Sequence, residues 1–223
     1  MVDLWGVLVL LAGSVGVDMV VDRLRRQRPV FHSEADLQHA FAWSAQEIDP
    51  TLQIRLETRP VPGLRLDLLV AAADGSRCTA VELKYLTANW LGEYNGERLE
   101  LKNQGAQDIR AYDVVKDLTR VERVVAERPG WSGLVLVLTN DPSYWNKPAL
   151  IRETNAQAFR LYQGNTLTGA RAWGPLTGAG TKRGREADLN LRQEYTCAWV
   201  DYTALPGLRG TFRLLILEVA AED

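Results

Sequence analysis

The pattern of apolar and polar positions predicts one helix and three strands in the first part of the chain. Ser33 with an acid three residues later is typical of a helix N-terminus, and Asp49-Pro50 ends the helical pattern. The apolar face of this helix consists of Leu37, Ala40, Phe41, Ala45 and Ile48. Strand-like segments follow at residues 52–56, 64–72 and 77–86. Asp74-Gly75 predicts a hairpin turn between the second and third strands.

A second helix and a fully buried strand are predicted further along the chain. Helically spaced apolar residues run from Ala111 to Val125, and Pro129-Gly130 closes this helix. Residues 133–138 are continuously apolar, as in a strand that is covered on both faces. Residues 31–140 are therefore predicted to form an α/β core with the element order α-β-β-β-α-β.

The C-terminal part, residues 141–223, is interpreted as an extension of the same domain. Residues 148–162 have a helical pattern, and two further strands are predicted at residues 195–202 and 212–219. These strands are expected to extend the sheet. The Gly-rich stretch between about residues 164 and 184 is interpreted as a flexible loop.

The N-terminal part, residues 1–30, is interpreted as an apolar helix and a basic connector. Residues 4–17 carry no charge, but Asp18 interrupts them after fourteen residues, whereas a membrane span requires roughly twenty. No basic segment precedes them, and no cleavage site is evident, which argues against a signal peptide. A packed or oligomer-forming helix is favoured over a membrane anchor at residues 4–21. We therefore expect a cytoplasmic protein, with the inner face of a membrane as the alternative.

Composition limits the possible catalytic chemistry more than it limits the possible folds. The chain has 223 residues, 46% of them hydrophobic and 24% charged, as in an ordinary globular protein. A net charge of -2 gives no global basic field, so a nucleic-acid partner requires a local basic patch. Two cysteines, interpreted as reduced core residues, and two histidines argue against a zinc enzyme or a Ser-His-Asp hydrolase. Any catalysis is expected to use carboxylates, lysine and water.

One group of charged residues lies within otherwise apolar predicted strands. Glu82 and Lys84 in the segment AVELKY share a face, because side chains alternate along a strand. A hairpin around Asp74-Gly75 would place Asp67 opposite residues 82–84. Two carboxylates suit a hard cation such as Mg²⁺, and a neighbouring lysine can stabilise developing negative charge. The alternative is an ion-pair network on an exposed face of the sheet.

The pattern of Asp67, then Glu82-Leu83-Lys84 on a hairpin within an α-β-β-β-α-β order, resembles the PD-(D/E)xK nuclease superfamily. Leu66 stands where the family name has proline. The resemblance implies a restriction-endonuclease-like core, with a mixed central sheet flanked by helices, an extra N-terminal helix and extra C-terminal strands. It also implies phosphodiester hydrolysis, most often in DNA, with Mg²⁺ or Mn²⁺. Asp67, Glu82 and the Leu83 backbone carbonyl would bind the metal, and Lys84 would assist the attacking water.

The resemblance suggests two further site residues. Many members carry a glutamate on the first core helix, and Glu34 lies on the apolar face of that helix here. It is expected to join the metal site, the alternative being a first-turn acid that interacts with the helix dipole. Some members place a glutamine on the long helix, for which Gln104 and Gln107 are candidates and Gln107 is preferred. Tyr112 is interpreted as a packing residue.

Nucleic-acid contacts and an alternative function complete the predictions. Gln104 and the following basic residues are candidate contacts to nucleic acid: Lys102, Arg110, Lys182, Arg183 and Arg185. The alternative function, which belongs to a different class, is a nuclease-like fold that has lost catalysis and serves as a binding or assembly module. A homo-oligomer formed through the N-terminal helix and attachment to a membrane are compatible with either function.

Overall fold

The computed structural model describes residues 9–148 and 153–221. The helices are α1 (Val17–Gln27), α2 (Glu34–Ile48), α3 (Gln107–Ala126) and α4 (Ala179–Lys182). The first eight strands are β1 (Leu10–Leu11), β2 (Val15–Gly16), β3 (Gln53–Val61), β4 (Leu64–Ala71), β5 (Cys78–Leu86), β6 (Trp90–Tyr94), β7 (Glu97–Leu101) and β8 (Trp131–Thr139). The remaining strands are β9 (Thr166–Arg171), β10 (Leu189–Thr196), β11 (Trp199–Ala204) and β12 (Thr211–Val219).

A six-stranded mixed sheet forms the centre of the molecule, in the order β11-β12-β8-β5-β4-β3. Strands β5 and β8 pair in parallel, and all other neighbours in this sheet are antiparallel. Apolar residues of α1 and α2 cover one face of the sheet. Helix α3 and apolar residues of β9 and β10 cover the other face. The chain is therefore a mixed α/β protein whose central sheet is flanked by helices, as predicted.

Helix α2 begins where the sequence predicts. Ser33 has an extended backbone, and its Oγ accepts a hydrogen bond from the Asp36 backbone N–H at 3.2 Å. The Asp36 carboxylate in turn accepts from the backbone N–H of His32 at 3.0 Å. These bonds satisfy donors that the first helical turn cannot pair internally. The cap fixes the start of α2, and with it the position of Glu34 beside the sheet.

The β4–β5 hairpin has the predicted turn and a register within the predicted range. Gly75 has a φ of +71°, which favours glycine, and Leu68 pairs with Val81. Pairing stops at that position, although β5 continues for five more residues to Leu86. Beyond Val81, β5 remains paired with β8 on its other side. The edge of β5 that faces β4 is therefore open from Glu82 onwards.

A two-stranded hairpin, β6–β7, is inserted between β5 and α3. Its turn residues Asn95 and Gly96 both have positive φ, as a type I′ turn requires. His32 Nε2 lies 2.9 Å from Glu97 Oε1 and connects the hairpin to the segment before α2. This insertion occupies the polar stretch that the sequence left without an assigned structure.

The N-terminal prediction requires a correction. Residues 1–8 lie outside the described part, and residues 10–16 form the short hairpin β1–β2 instead of helix. The hairpin turns at Ala12 and Gly13, which both have positive φ. Helix α1 starts only at Val17, and its buried residues belong to the core of this chain. Among the described residues, no helix combines the length and apolar character that a membrane crossing demands.

The C-terminal predictions are also partly wrong. The stretch predicted as a flexible loop, residues 164–184, contains strand β9 and the single turn α4. Strand β9 pairs with β10 in a separate two-stranded ribbon. Of the helix predicted at residues 148–162, the described part from residue 153 onwards contains only a 3-10 turn at Gln157–Phe159. Strand β12 extends the central sheet as predicted. The strand predicted at residues 195–202 is only partly right, because it covers the end of β10 in the ribbon as well as most of β11, which does join the central sheet.

Candidate functional site

Side chains from three parts of the chain complete the open edge of β5. Asp67 Oδ2 accepts a hydrogen bond from the Leu83 backbone N–H at 2.8 Å, and Glu34 Oε2 accepts from the Tyr85 N–H at 3.0 Å. Gln104 Nε2 donates to the Tyr85 carbonyl at 2.9 Å. Buried backbone groups need partners, and here carboxylates and an amide take the place of a neighbouring strand. The predicted residues Asp67 and Glu34 thus meet β5 through its backbone.

Lys84 lies among carboxylates on the α3 side of the sheet. Its Nζ is 2.9 Å from Asp117 Oδ2 and 3.6 Å from Glu34 Oε1. Burial disfavours the ammonium, but the charges of Asp117, Glu34 and Asp67 outweigh burial and raise the pKa of Lys84 above its ordinary value. Lys84 is therefore a fixed cation and hydrogen-bond donor, and not a base.

Glu82 is the most buried acid of the group, with 2% of its surface exposed. Its Oε1 has no hydrogen-bond partner and lies 3.3 Å from Arg120 Nη2. Burial, together with the nearby charges of Asp117 and Asp67, raises the pKa of Glu82 to about 9, although Arg120 and Lys84 oppose the shift. A carboxyl that is buried and only partly compensated is typical of functional sites.

Two members of this group, Asp117 and Arg120, were not predicted from the sequence. They lie one turn apart on α3, and Arg120 Nη1 is 2.7 Å from Asp117 Oδ1. Asp117 is 5% exposed and connects Lys84 to Arg120. A signal was available in the sequence, because Asp117 follows Val114 by three residues and precedes Val121 by four, which puts it on the predicted apolar face. A buried acid at such a position requires a cationic partner.

A cleft of about 240 Å³ opens beside these residues. Its lining includes Glu34, Lys84, Gln104, Asp117 and Arg120. Glu82 does not line the cleft, but it pairs with Arg120, which does. Burial raises the pKa of Glu34 above its usual value, although the Lys84 ammonium opposes this shift. The cleft thus places an ammonium and a guanidinium within reach of an anionic ligand, beside a cluster of acids.

Gln107, the preferred glutamine, lies elsewhere. Its Nε2 is 3.3 Å from Asp141 Oδ2, and it lines a separate cleft of about 340 Å³. Gln104 takes the expected place beside β5 instead. Helix α3 starts only at Gln107, because Ala106 has a left-handed φ of 48°. Tyr112 is 2% exposed and stacks on Trp173, which confirms its packing role.

The predicted basic contacts fall into three groups. Arg110 lines the 240 Å³ cleft, and Arg110 and Arg185 both pair with Asp113, at 3.8 Å and 3.2 Å. Lys102 lines a groove beside the β6–β7 hairpin. Lys182 and Arg183 lie at the end of α4, two to three residues before Arg185. Of the five basic candidates, Arg110 and Arg185 are therefore near the cleft, because both pair with Asp113, which also lines it.

The oxygen donors partly suit a divalent cation. Within residues 9–148 and 153–221, no three Asp, Glu, His or Cys side chains are arranged closely enough to hold a metal ion. The available donors are the unbonded Glu82 Oε1, the Asp67 carboxylate and the Leu83 carbonyl, which lies 3.4 Å from Lys84 Nζ. Mg²⁺ commonly uses one or two carboxylates together with water and substrate phosphate. These oxygens are of the type that such a cation binds, and they do not form a three-carboxylate cage.

Comparison of the chain with protein-family models, with curated proteins and with solved structures finds no match.

Proposed function

We propose that the protein is a divalent-metal-dependent nuclease that hydrolyses the phosphodiester bonds of DNA. The observation that carries the proposal is the position of the Lys84 ammonium, which Asp117 and Glu34 hold on the same side of β5 as Glu82. The order α2-β3-β4-β5-α3-β8 around this group is the order that the PD-(D/E)xK resemblance implies. The choice of DNA rests on that resemblance alone.

Each residue of the site has a separate role in the proposed reaction. Glu82, Asp67 and the Leu83 carbonyl would hold Mg²⁺ or Mn²⁺, which supplies charge stabilisation and lowers the pKa of a bound water. Lys84 stays protonated, so it donates hydrogen bonds to the attacking water and to a phosphate oxygen. Glu34 orients Lys84 from the opposite side to Asp117. Arg110 lies on the cleft wall, where a phosphate of the substrate would pass.

Arg120 favours a second candidate function. Its guanidinium pairs with Glu82 and Asp117, and so neutralises acids that the proposed metal would neutralise. Asp67 and Glu34 are also engaged with the backbone of β5. A catalytically retired fold that acts as a binding or assembly module would retain these contacts for stability alone. Cleavage activity distinguishes the two functions.

The decisive experiment is DNA cleavage by the wild type and by Lys84→Ala. Supercoiled plasmid and linear DNA are incubated with Mg²⁺ or Mn²⁺, and products are followed on gels over time. We expect wild-type cleavage and a loss of kcat of on the order of 10²-fold or more in Lys84→Ala, since one stabilising donor has been removed. Addition of a chelator is expected to abolish wild-type cleavage.

Lys116→Ala is the matched control, because Lys116 is an exposed lysine on the rim of the same cleft. It removes the same charge, so we expect weaker DNA binding with kcat largely retained. Equal activity of wild type and Lys84→Ala would refute the catalytic role of Lys84. Absence of cleavage by wild type on all substrates, with DNA binding retained, would favour the binding module.

A further inference from the structure

Arg120 joins two buried acids that belong to different elements. Its Nη2 lies 3.3 Å from Glu82 Oε1 on β5, and its Nη1 lies 2.7 Å from Asp117 Oδ1 on α3. The two acids are 2% and 5% exposed. Buried carboxylates at such positions require a cation. The guanidinium supplies this charge at the boundary between sheet and helix.

Arg120 satisfies Glu82 incompletely. The contact at 3.3 Å is an ion pair, and Glu82 Oε1 remains without a hydrogen bond. The same Nη2 atom donates a hydrogen bond to the Arg65 carbonyl. An unbonded, buried carboxylate oxygen is unfavourable, and it is also the kind of ligand that a hard divalent cation prefers. A cation with a more flexible coordination shell would therefore fit Glu82 better than the guanidinium does.

The charge balance points in the same direction. The group contains four acids and only two cations: Glu34, Asp67, Glu82, Asp117, Lys84 and Arg120. The acids outnumber the cations, so the group attracts a further cation. Such a cation cannot share the contact position on Glu82 with a guanidinium, since two cations at that separation repel strongly in a buried site.

Arg120 is more exposed than Lys84. The Arg120 side chain is 27% exposed and lines the 240 Å³ cleft. Lys84 is 18% exposed and contacts two acids, Asp117 and Glu34. Rotation of Arg120 further into the cleft would break its contacts with Glu82 and the Arg65 carbonyl, while both acids that contact Lys84 would remain beside it.

We propose that Arg120 is a built-in competitor of the divalent cation, which occupies the place beside Glu82 in the metal-free protein and moves into the cleft when the cation binds. The inference rests on the proposed function, because competition requires a cation that binds at Glu82. Arg120 then sets the metal affinity of the site. It is a positioning residue in the metal-free protein, and not a ligand.

Calorimetric titration of the full chain with Mn²⁺ tests this inference without measuring catalysis. We expect Arg120→Gln to bind Mn²⁺ on the order of tenfold more tightly than the wild type, because a competing charge is gone. Arg120→Lys keeps a charge that cannot span both carboxylates, so its affinity should fall between the two. It also provides the test if Arg120→Gln does not fold, which a thermal melt of each protein would show.

Two controls separate this effect from a general change of charge. Arg123→Gln removes an arginine that pairs with Glu127 on the surface of the same helix, and its Mn²⁺ affinity should equal that of the wild type. Arg110→Gln removes a charge from the same cleft, where Arg110 pairs with Asp113, and it should have a smaller effect than Arg120→Gln.

The outcomes distinguish the inference from the proposed function. If wild type binds Mn²⁺, Glu82→Gln does not, and both Arg120 variants bind no more tightly than wild type, the inference is wrong and the proposed function stands. If none of the proteins binds Mn²⁺, both are wrong. Binding by the Arg120 variants alone would support the competition, and would make Arg120 a permanent replacement for the metal in a protein that does not cleave DNA.

Discussion

At the scale of single residues, the buried carboxyl of Glu82 determines how the site responds to pH. Its pKa is raised to about 9, mainly by burial. A carboxyl with a raised pKa keeps its proton in the folded chain at pH values where the same carboxyl in the unfolded chain has lost it. Its contribution to stability is therefore complete below the ordinary glutamate pKa and is lost as pH rises toward the raised value.

Glu82→Gln should remove the loss of stability that Glu82 causes as the pH rises. Glutamine is neutral at every pH, so the variant is expected to be more stable than the metal-free wild type by about 1–3 kcal/mol at pH 8, with the difference shrinking toward pH 5. The loss of the Arg120 ion pair subtracts from this gain. Thermal melts between pH 5 and pH 9 in the presence of a chelator measure the effect.

Glu127→Gln makes the same change at an exposed position directly after α3, where the glutamate pairs with Arg123. A pH-dependent gain of equal size in Glu127→Gln would show that the effect does not come from burial. A melting temperature of Glu82→Gln below that of wild type at pH 8 would contradict the prediction directly.

Single residues also show where sequence reasoning reached the site and where it failed. Asp67, Glu82 and Lys84 could be placed together because a short hairpin and a period of two fix their positions. Gln104 was predicted to lie on the long helix because the helical pattern was extended one turn too far; it lies before α3 and reaches β5 from there. The left-handed φ of Ala106 ends that pattern, and alanine gives no signal for such a conformation. Asp117 was overlooked because its partners come from β5, far away in the sequence.

At the scale of elements, the contact of α3 with the sheet depends on Gly133 in β8. A Cβ at this position would lie 2.2 Å from Val121 Cγ1 and 3.0 Å from Val219 Cβ. The glycine lets the helix approach the sheet closely, and Val121 lies one turn beyond Asp117 on α3. Close packing here therefore also fixes the position of Asp117 relative to Lys84.

Gly133→Ala should overfill this contact. We expect a loss of about 1–3 kcal/mol of unfolding free energy, as is usual when a methyl group is forced into a filled core. If the proposed nuclease function is right, displacement of α3 should also lower DNA cleavage, because it moves Asp117 away from Lys84. Urea denaturation and the plasmid assay measure the two effects.

Gly178→Ala is the control for that substitution. A Cβ at Gly178 has no neighbour within 4 Å, and the residue has an ordinary φ of -60°. Its unfolding free energy is expected to stay within about 0.5 kcal/mol of wild type. Equal stability of Gly133→Ala and wild type would mean that α3 can shift without cost.

Elements with regular apolar patterns were predicted well, and elements defined by turns were not. Ser33 and Asp74-Gly75 mark boundaries through local chemistry, and α2 and the β4–β5 hairpin have these boundaries. The apolar residues before Val17 suit a helix equally well, and only positive φ at Ala12 and Gly13 creates the β1–β2 hairpin. Strand β9 is stabilised by its pairing with β10, which its own Gly-containing sequence does not indicate.

At the scale of the whole molecule, Glu122 connects α3 to the C-terminal ribbon. This buried carboxylate accepts hydrogen bonds from the backbone N–H groups of Arg192 and Gln193 and from the Tyr195 hydroxyl at 2.8 Å. These groups lie where the β9–β10 register shifts and where the strand cannot pair them. Glu122 thus attaches a ribbon outside the central sheet to the helix that carries Asp117.

Glu122→Ala should destabilise the protein by about 2–4 kcal/mol, because the two backbone N–H groups and the buried Tyr195 hydroxyl lose a shared acceptor. Tyr195→Phe removes one of these bonds and should cost about 1 kcal/mol. Glu127→Ala, directly after the end of α3, is the control and should change stability by less than about 0.5 kcal/mol. Chemical denaturation measures all three, and equal stability of Glu122→Ala and Glu127→Ala would refute the role of Glu122.

The fold class follows from the order of elements along the chain, which the sequence pattern predicted between α2 and β8 except for the β6–β7 hairpin. The attachment of the β9–β10 ribbon does not follow from that order, because it depends on the single acid Glu122, which reaches the irregular part of β10. The same holds for the site. The position of Asp117 on the apolar face of α3 indicates that it needs a cation, but nothing in the sequence identifies Lys84 as that cation. Long-range contacts between charged side chains leave no periodic pattern in a sequence.

The parallel pairing of β5 with β8 has a kinetic consequence. Paired residues such as Cys78 and Trp131, or Thr79 and Ser132, are 53 positions apart in the chain. Contacts of such separation form slowly, since the entropy of closing the intervening segment is lost before the contacts stabilise it. Until α3 has docked over this strand pair, Lys84 has no Asp117 to contact. The charged cluster is therefore expected to appear in the last phase of refolding, and a nascent chain released before Thr139 would lack it.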